Sequence, residues 1–189
     1  RCQRARGQCS SGPAAAYAVS KAASEMYARV CSDLYGIDIV CLRYFNVFGP
    51  HQDPESPYAA VVPRFISRLV HGLPPVIHGD GLQSRDFTYI GNVVEANLAA
   101  CAAPGKLSGV YNVACGEKLS VLQLARWIGE FVGVEVQPEF AEARKGEIRD
   151  SWADISRARG AFGYRPLVSV REGLRMTVDW YQNNGDGRH

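Results

Sequence analysis

Residues 37–49 read IDIVCLRYFNVFG. The apolar run Ile37–Leu42, broken only by Asp38, is of the kind a parallel sheet buries on both faces. It predicts a strand that closes at Tyr44, Phe45 and Asn46 and passes into a loop. Upstream, Val19, Ala22, Ala23, Met26, Val30 and Leu34 recur at helical spacing between about Ala14 and Tyr35, and Gly36 stops the helix. Downstream, residues 50–60 form a Pro-rich loop. A helix over Val61–His71 has Pro63 just inside its start, the usual N-terminal place of proline. Strands follow at Val76–Ile77, Phe87–Ile90, Val110–Ala114 and Val134–Phe140. Helices follow at Asn92–Ala103, with Asn92 as N-cap, and at Val121–Val132, capped by Ser120 and ended by Gly133. Residues 154–162 and 170–183 give the last two helices, and residues 1–13 read as irregular. Strands alternating with helices define an α/β protein with a parallel sheet.

Bulk properties narrow the function. The 189 residues suit one domain or two small lobes, and 47% hydrophobic with 21% charged is ordinary for a globular chain. A net charge of +2 is too small to argue for nucleic acid or a membrane surface, and neither is expected as a partner. No run approaches the roughly 20 apolar residues of a membrane helix. The opening RCQRARGQCSSGPAAA has no apolar core and is not a signal peptide. Seventeen Arg stand against four Lys; Arg forks suit phosphates, and a biased genome explains the excess equally well. The six cysteines form no CxxC pair and the four histidines show no ligand spacing, so no metal is expected. Cys31, Cys41, Cys101 and Cys115 sit in apolar runs and read as small core residues, which fits a reducing, cytoplasmic compartment.

The sequence Tyr17-Ala18-Val19-Ser20-Lys21 places a phenol and an ammonium one helical turn apart, on one face. A free tyrosine, with a pKa near ~10, is a poor base at neutral pH, and lowering it by about 3 units takes about 4 kcal/mol. One ammonium about 4 Å away supplies an interaction of that order at an effective dielectric near 20. Such a pair suits proton removal from a substrate hydroxyl.

Six blocks in order carry a resemblance: YAVSK, LRYFNVFGPHQDP, YAAVVPRF, HGDGLQSRDFTYIGNVVEAN, YNVACGEKLSVLQL and ARKGEIRDSWADISRARGAFGYRP. Over roughly residues 16–182 the chain resembles the nucleotide-sugar epimerase branch of the extended short-chain dehydrogenases/reductases. The resemblance implies an incomplete Rossmann-type parallel sheet, the C-terminal part of one, with a small α/β substrate-binding lobe. The Rossmann remnant would comprise residues 1–50 and 86–115, and the sugar-nucleotide lobe 51–85 and 116–189.

By position, Tyr17 and Lys21 match the family's base and the lysine that tunes it and binds the nicotinamide ribose. Tyr44 and Phe45 match backbone positions at the nicotinamide, although core packing accounts for both side chains as well. Asn46 matches a side chain that reaches the sugar diphosphate. Ala60, Val61 and Val62 match a helix start beside the nucleotide, where N-terminal amides favour an anion. Arg64 and Phe65 read equally as a surface charge and a core aromatic. His78, with Gly79, precedes the turn near the uridine ring. Gln83, Arg85 and Phe87 belong to the phosphate and ribose block, Arg85 being suited to grip two phosphate oxygens, and Asp86 orients that loop. Arg144 and Glu147 match the final clamp on diphosphate and ribose; the usual acid is Asp, one methylene shorter. Ser151 matches the wall around the sugar's C2 substituent, and its size leaves room for an N-acetyl group.

The implied activity is NAD-dependent 4-epimerisation of a UDP-sugar, UDP-GlcNAc/GalNAc or UDP-Glc/Gal. Tyr17 removes the O4 proton, C4 gives hydride to NAD+, the 4-keto sugar turns over, and hydride returns to the other face. A nucleotide-sugar 4,6-dehydratase or decarboxylase of the same family is one alternative; a non-catalytic sugar-nucleotide-binding remnant is the other. The family's helix bearing Y-x-x-x-K implies a homodimer. The chain contains no G-x-x-G-x-x-G turn for the cofactor pyrophosphate, and only 16 residues precede Tyr17. NAD is therefore expected in the complete enzyme, while this chain alone is expected to be inactive, to hold the cofactor weakly and to expose apolar surface on its first helix and central strands.

Overall fold

The computed structural model describes residues 16–56, 60–143 and 149–184; the side chains of Ala16 and Tyr17 lie outside the described residues. The elements run α1 (Ala16–Tyr35), β1 (Val40–Tyr44), β2 (Val47–Phe48), α2 (Val61–Val70), β3 (Val76–His78), β4 (Ser84–Arg85) and β5 (Thr88–Tyr89). They continue α3 (Ile90–Cys101), β6 (Gly109–Val113), β7 (Leu119–Ser120), α4 (Val121–Val132), β8 (Glu139–Ala141), α5 (Ser156–Phe162) and α6 (Val170–Asn184). The α/β class stands, with parallel ladders β1–β6, β2–β5 and β3–β8. One pair, β4–β7, is antiparallel.

Local signals in the sequence fix several boundaries. Ser120 accepts a hydrogen bond from the Gln123 amide at 3.1 Å, and Gly133 closes α4 at φ 87°. Elsewhere distant contacts override them. The first strand starts at Val40 rather than Ile37, because Ser108 fastens the approach: its hydroxyl donates to Asp38 and accepts from the Ile39 amide. Asn92 is not an N-cap; Tyr89 holds that position. Buried inside α3, Asn92 instead accepts from the Leu167 and Val168 amides at 2.9 and 3.0 Å and donates to the Val168 carbonyl at 2.8 Å. Of the expected strand 134–140 only Glu139 and Phe140 pair, in a strand that runs on to Ala141; the Val134 amide is spent on the carbonyl of Gly129 at the end of α4. Cys101 is exposed and Cys31, Cys41 and Cys115 are half-buried, so none is a fully enclosed core residue.

Two apolar clusters hold the chain. One joins Phe48, Phe65, Ile66, Ile77, Leu124, Ile128, Leu174 and Val178 from β2, α2, β3, α4 and α6. The other joins Val93, Tyr111, Val113, Ile155, Phe162 and Tyr164 from α3, β6 and the segment around α5. The stripe on α1 belongs to neither: Met26 and Leu34 are 69% and 70% exposed. Apolar exposure on this helix is as the sequence led us to expect.

Candidate functional site

The site begins where β1 ends. Asn46 has φ 35°, in the left-handed region that asparagine tolerates better than most side chains. Its side-chain amide donates to the backbone carbonyl of Asp86 at 2.9 Å, and its own carbonyl accepts from the Thr88 amide at 3.3 Å. The turn thereby swings the chain out of the β1–β6 ladder and into the β2–β5 ladder, which opens at Val47 and Thr88.

Beside Asn46 lies a cavity of about 500 Å³. Asn46, Ala60, Val61, His78, Gln83, Arg85 and Phe87 line it, so seven of the candidate residues meet there. Val62 does not; it is fully buried behind Val61 in the first apolar cluster. The start of α2 faces this space with no side-chain cap on its first amides. His78 is anchored through Nδ1 to the Glu142 carbonyl at 3.1 Å, and the Gln83 amide donates to the His78 carbonyl at 2.7 Å. Between them the turn needs glycine: Gly81 has φ 74°, and a Cβ there would sit 3.1 Å from Leu122 and 3.3 Å from Ile77.

Arg85 donates to the Ser84 carbonyl at 2.8 Å and to the Arg149 carbonyl at 3.4 Å, which fixes its guanidinium against the cavity. The strip Arg149–Ser151 runs alongside β4. Ser84 N–H donates to the Arg149 carbonyl, Ser151 N–H to the Ser84 carbonyl, and the Ser84 hydroxyl to Asp150 at 2.6 Å. Arg149 also pairs with Asp80 at 2.9 Å, tying the strip to the glycine turn. Ser151 is half-buried and stands outside the lining of the cavity.

Asp86 is fully buried. One carboxylate oxygen accepts from the Cys115 amide at 3.0 Å; the other accepts from the Gly116 and Ala153 amides at 3.0 and 3.2 Å. Burial pushes this carboxyl up to about 6, although the three amides pull the other way. Burial, with the Asp86 and Glu117 charges added, pushes the Cys115 thiol up to about 12.

The remaining candidates stand elsewhere. Lys21 is exposed on α1, one turn from Tyr17, whose side chain lies outside the described residues. Tyr44 lines a different cavity, of about 460 Å³, and its hydroxyl donates to Asn97 at 3.1 Å. The Phe45 amide donates to the Val113 carbonyl, and its ring packs against the second cluster. Arg144 and Glu147 lie outside the described residues.

Residues 3–114 match the model of the NAD dependent epimerase/dehydratase family. The chain belongs to that family. It is 35% identical over 172 residues to a putative UDP-glucose 4-epimerase of Methanocaldococcus jannaschii, covering 91% of this chain and 55% of the relative. It is 34% identical over 186 residues to a dTDP-D-glucose 4,6-dehydratase of Bos taurus, covering 91% and 49%. Among solved structures it resembles a UDP-N-acetylglucosamine 4-epimerase from Methanobrevibacter ruminantium in complex with UDP-N-acetylmuramic acid. The identity is 40% and the TM-score 0.85, over 92% of this chain and 55% of that one. The chain thus spans about half the length of the curated relatives it matches. The parallel ladders are those of the Rossmann-type fold of these epimerases.

For a member of the NAD dependent family, the described residues give an unequal pair of half-sites. Lys21, Tyr44 and Phe45 do not close around one cavity, and Tyr44 turns to Asn97. They do not by themselves fit a dinucleotide. Among the described residues no cluster of His, Cys, Asp or Glu suits a metal ion, and no helix is long and apolar enough to cross a membrane.

Sequence reasoning missed Pro54, Glu55 and Arg68 in the cavity wall. The loop bearing Pro54 and Glu55 is held from α6, where the Tyr181 hydroxyl donates to the Gln52 carbonyl and Trp180 packs on His51. Arg68 is itself partnered, by Glu139 at 3.7 Å and by the Pro74 carbonyl.

Proposed function

We propose that this chain supplies the sugar-nucleotide-binding side, and the Tyr17–Lys21 pair, of an enzyme that epimerises a UDP-sugar at C4 in an NAD-dependent, redox-neutral reaction. The observation that carries the reading is the single cavity where Asn46, Ala60, Val61, His78, Gln83, Arg85 and Phe87 meet from segments up to 41 residues apart. A helix N-terminus and a backbone-anchored guanidinium on one cavity suit a diphosphate. His78 and Gln83, held by backbone bonds, present polar atoms to a base or ribose. Arg144 and Glu147, which lie outside the described residues, are assigned to the diphosphate and ribose by their place in the family's blocks. Ser151, one strand away, leaves space for an acetamido group and favours UDP-N-acetylglucosamine over UDP-glucose. Tyr17 takes and returns the O4 proton, and Lys21 lowers its affinity for that proton. Lys21, Tyr44 and Phe45 form the flank that meets the nicotinamide. The division into a dinucleotide part (1–50 and 86–115) and a sugar-nucleotide part (51–85 and 116–189) follows from this assignment. A homodimer through α1, and a cytoplasmic location, complete the reading.

The test is product analysis by proton NMR. UDP-N-acetylglucosamine incubated with NAD and the full-length enzyme that contains this chain should give the C4 epimer. Tyr17→Phe should slow its formation by about 10²-fold or more, the loss typical of a missing general base. A 4-keto-6-deoxy product would replace the epimerase by a dehydratase. Binding without any turnover would favour a sugar-nucleotide-binding protein.

A further inference from the structure

We infer that Asp86 is a positioning residue of the sugar-nucleotide site, its buried carboxylate tying the segment that carries Arg85 and Phe87 to the turn after β6 and to the backbone just beyond Ser151. This rests on the function proposed above. The geometry is specific. Asp86 lies between Arg85 and Phe87, both on the cavity. Its two oxygens accept from Cys115 and Gly116, in the turn that follows β6, and from Ala153, two residues beyond Ser151. Its own carbonyl takes the Asn46 side-chain amide. One residue therefore sets Asn46, Arg85, Phe87 and the Arg149–Ser151 strip relative to one another, across separations of 29 to 67 residues.

An ionised carboxylate in a fully buried place is costly unless its bonds require the charge. An apolar side chain would fill the same space, but it would leave the amides of Cys115, Gly116 and the buried Ala153 without this acceptor. The groups that face Asp86 are few: Glu117 and the Cys115 thiol beside the turn, and the Tyr164 phenol from beyond α5. Tyr164 is itself engaged with the Ala114 carbonyl at 3.0 Å. None of these carries a positive charge to balance the carboxylate, and among the described residues three backbone amides hold it. Charge-assisted bonds are about twice as strong as neutral ones, so a neutral Asp86 should slacken the tie without emptying the space.

Two measurements decide. In the wild-type protein, the Asp86 carboxyl carbon and the amide protons of Cys115, Gly116 and Ala153 are followed by NMR as pH falls from 8 to 5. All four should move with one midpoint; amides indifferent to the carboxyl would overturn the inference. Asp86→Asn is then compared with wild type for unfolding and for affinity toward UDP-N-acetylglucosamine, whose diphosphate takes up no proton in this range. The variant should bind about tenfold more weakly, the loss expected for one charge-assisted bond or more, and its amides at Gly116 and Ala153 should exchange faster while the chain stays folded. Wild-type affinity and exchange in a folded Asp86→Asn would overturn the inference. A wild-type chain that binds no UDP-sugar would overturn the functional reading instead, and the amide titration would still decide the tie.

Discussion

The helices α1 and α2 each carry half of the candidate machinery, and they are held in opposite ways. On α2, Val62, Phe65, Ile66 and Leu69 are at most 4% exposed, packed with residues of α4 and α6. On α1, Val19, Met26, Val30 and Leu34 are at least half exposed, and the chief tie is a two-pronged pair between Arg43 and Glu25, both bonds at 2.6 Å. Both helices show an apolar stripe in the sequence, so periodicity alone does not say which stripe is covered. The cavity beside Asn46 is backed by a core of its own, whereas α1, which bears Lys21, has no such backing among the described residues. Stability and nucleotide affinity should therefore report on different halves.

The comparison breaks most visibly with Leu174→Ala against Met26→Ala. Leu174 is fully buried in the cluster that supports the cavity, and its truncation should cost about 2–5 kcal/mol in urea unfolding. Met26→Ala should stay within about 0.5 kcal/mol. Equal losses would mean that α1 is covered after all.

The next effect is on pH. Burial raises the Asp86 carboxyl from an ordinary value near 4 to about 6, so the folded protein takes up a proton that the unfolded chain does not hold at the same pH. Its contribution to stability is therefore fully present below about pH 4, is lost as pH rises through 6, and changes by something of the order of 3 kcal/mol. Denaturation midpoints in wild type and Asp86→Asn should diverge over that window.

Asn92→Ala removes three hydrogen bonds to residues 167 and 168 and should cost about 1–3 kcal/mol, read from the same urea curves. The smallest of the series is Ser120→Ala, which removes the cap of α4 and should cost about 1 kcal/mol.

These same residues show what the sequence made legible. Ser120 and Gly133 act on neighbours within four residues, so both ends of α4 could be read directly. The start of α2 and the residues around the cavity were legible because they fall in recognisable blocks, and seven of them meet. Asn92 misled because a polar residue before an apolar run has the form of a cap, while its partners lie 75 and 76 residues away. The strand expected from Val134 onward shortened because the α4 terminus competes for the same amide. The Asp86 tie was visible only as a loop acid; its three acceptor bonds require knowing that residues 115, 116 and 153 converge. For Asn92 and Asp86 the sequence concealed a long-range use of a polar group, on which local pattern has no hold.

The central claim is that the cavity beside Asn46 holds a UDP-sugar through Arg85, independently of the exposed α1 side. Calorimetric titration of UDP-N-acetylglucosamine into the wild-type chain, Arg85→Ala and Lys21→Ala tests it most directly. Saturable binding, weakened by about tenfold or more in Arg85→Ala and left nearly unchanged in Lys21→Ala, is the predicted result. No saturable binding, or the same affinity with and without the Arg85 guanidinium, would contradict it.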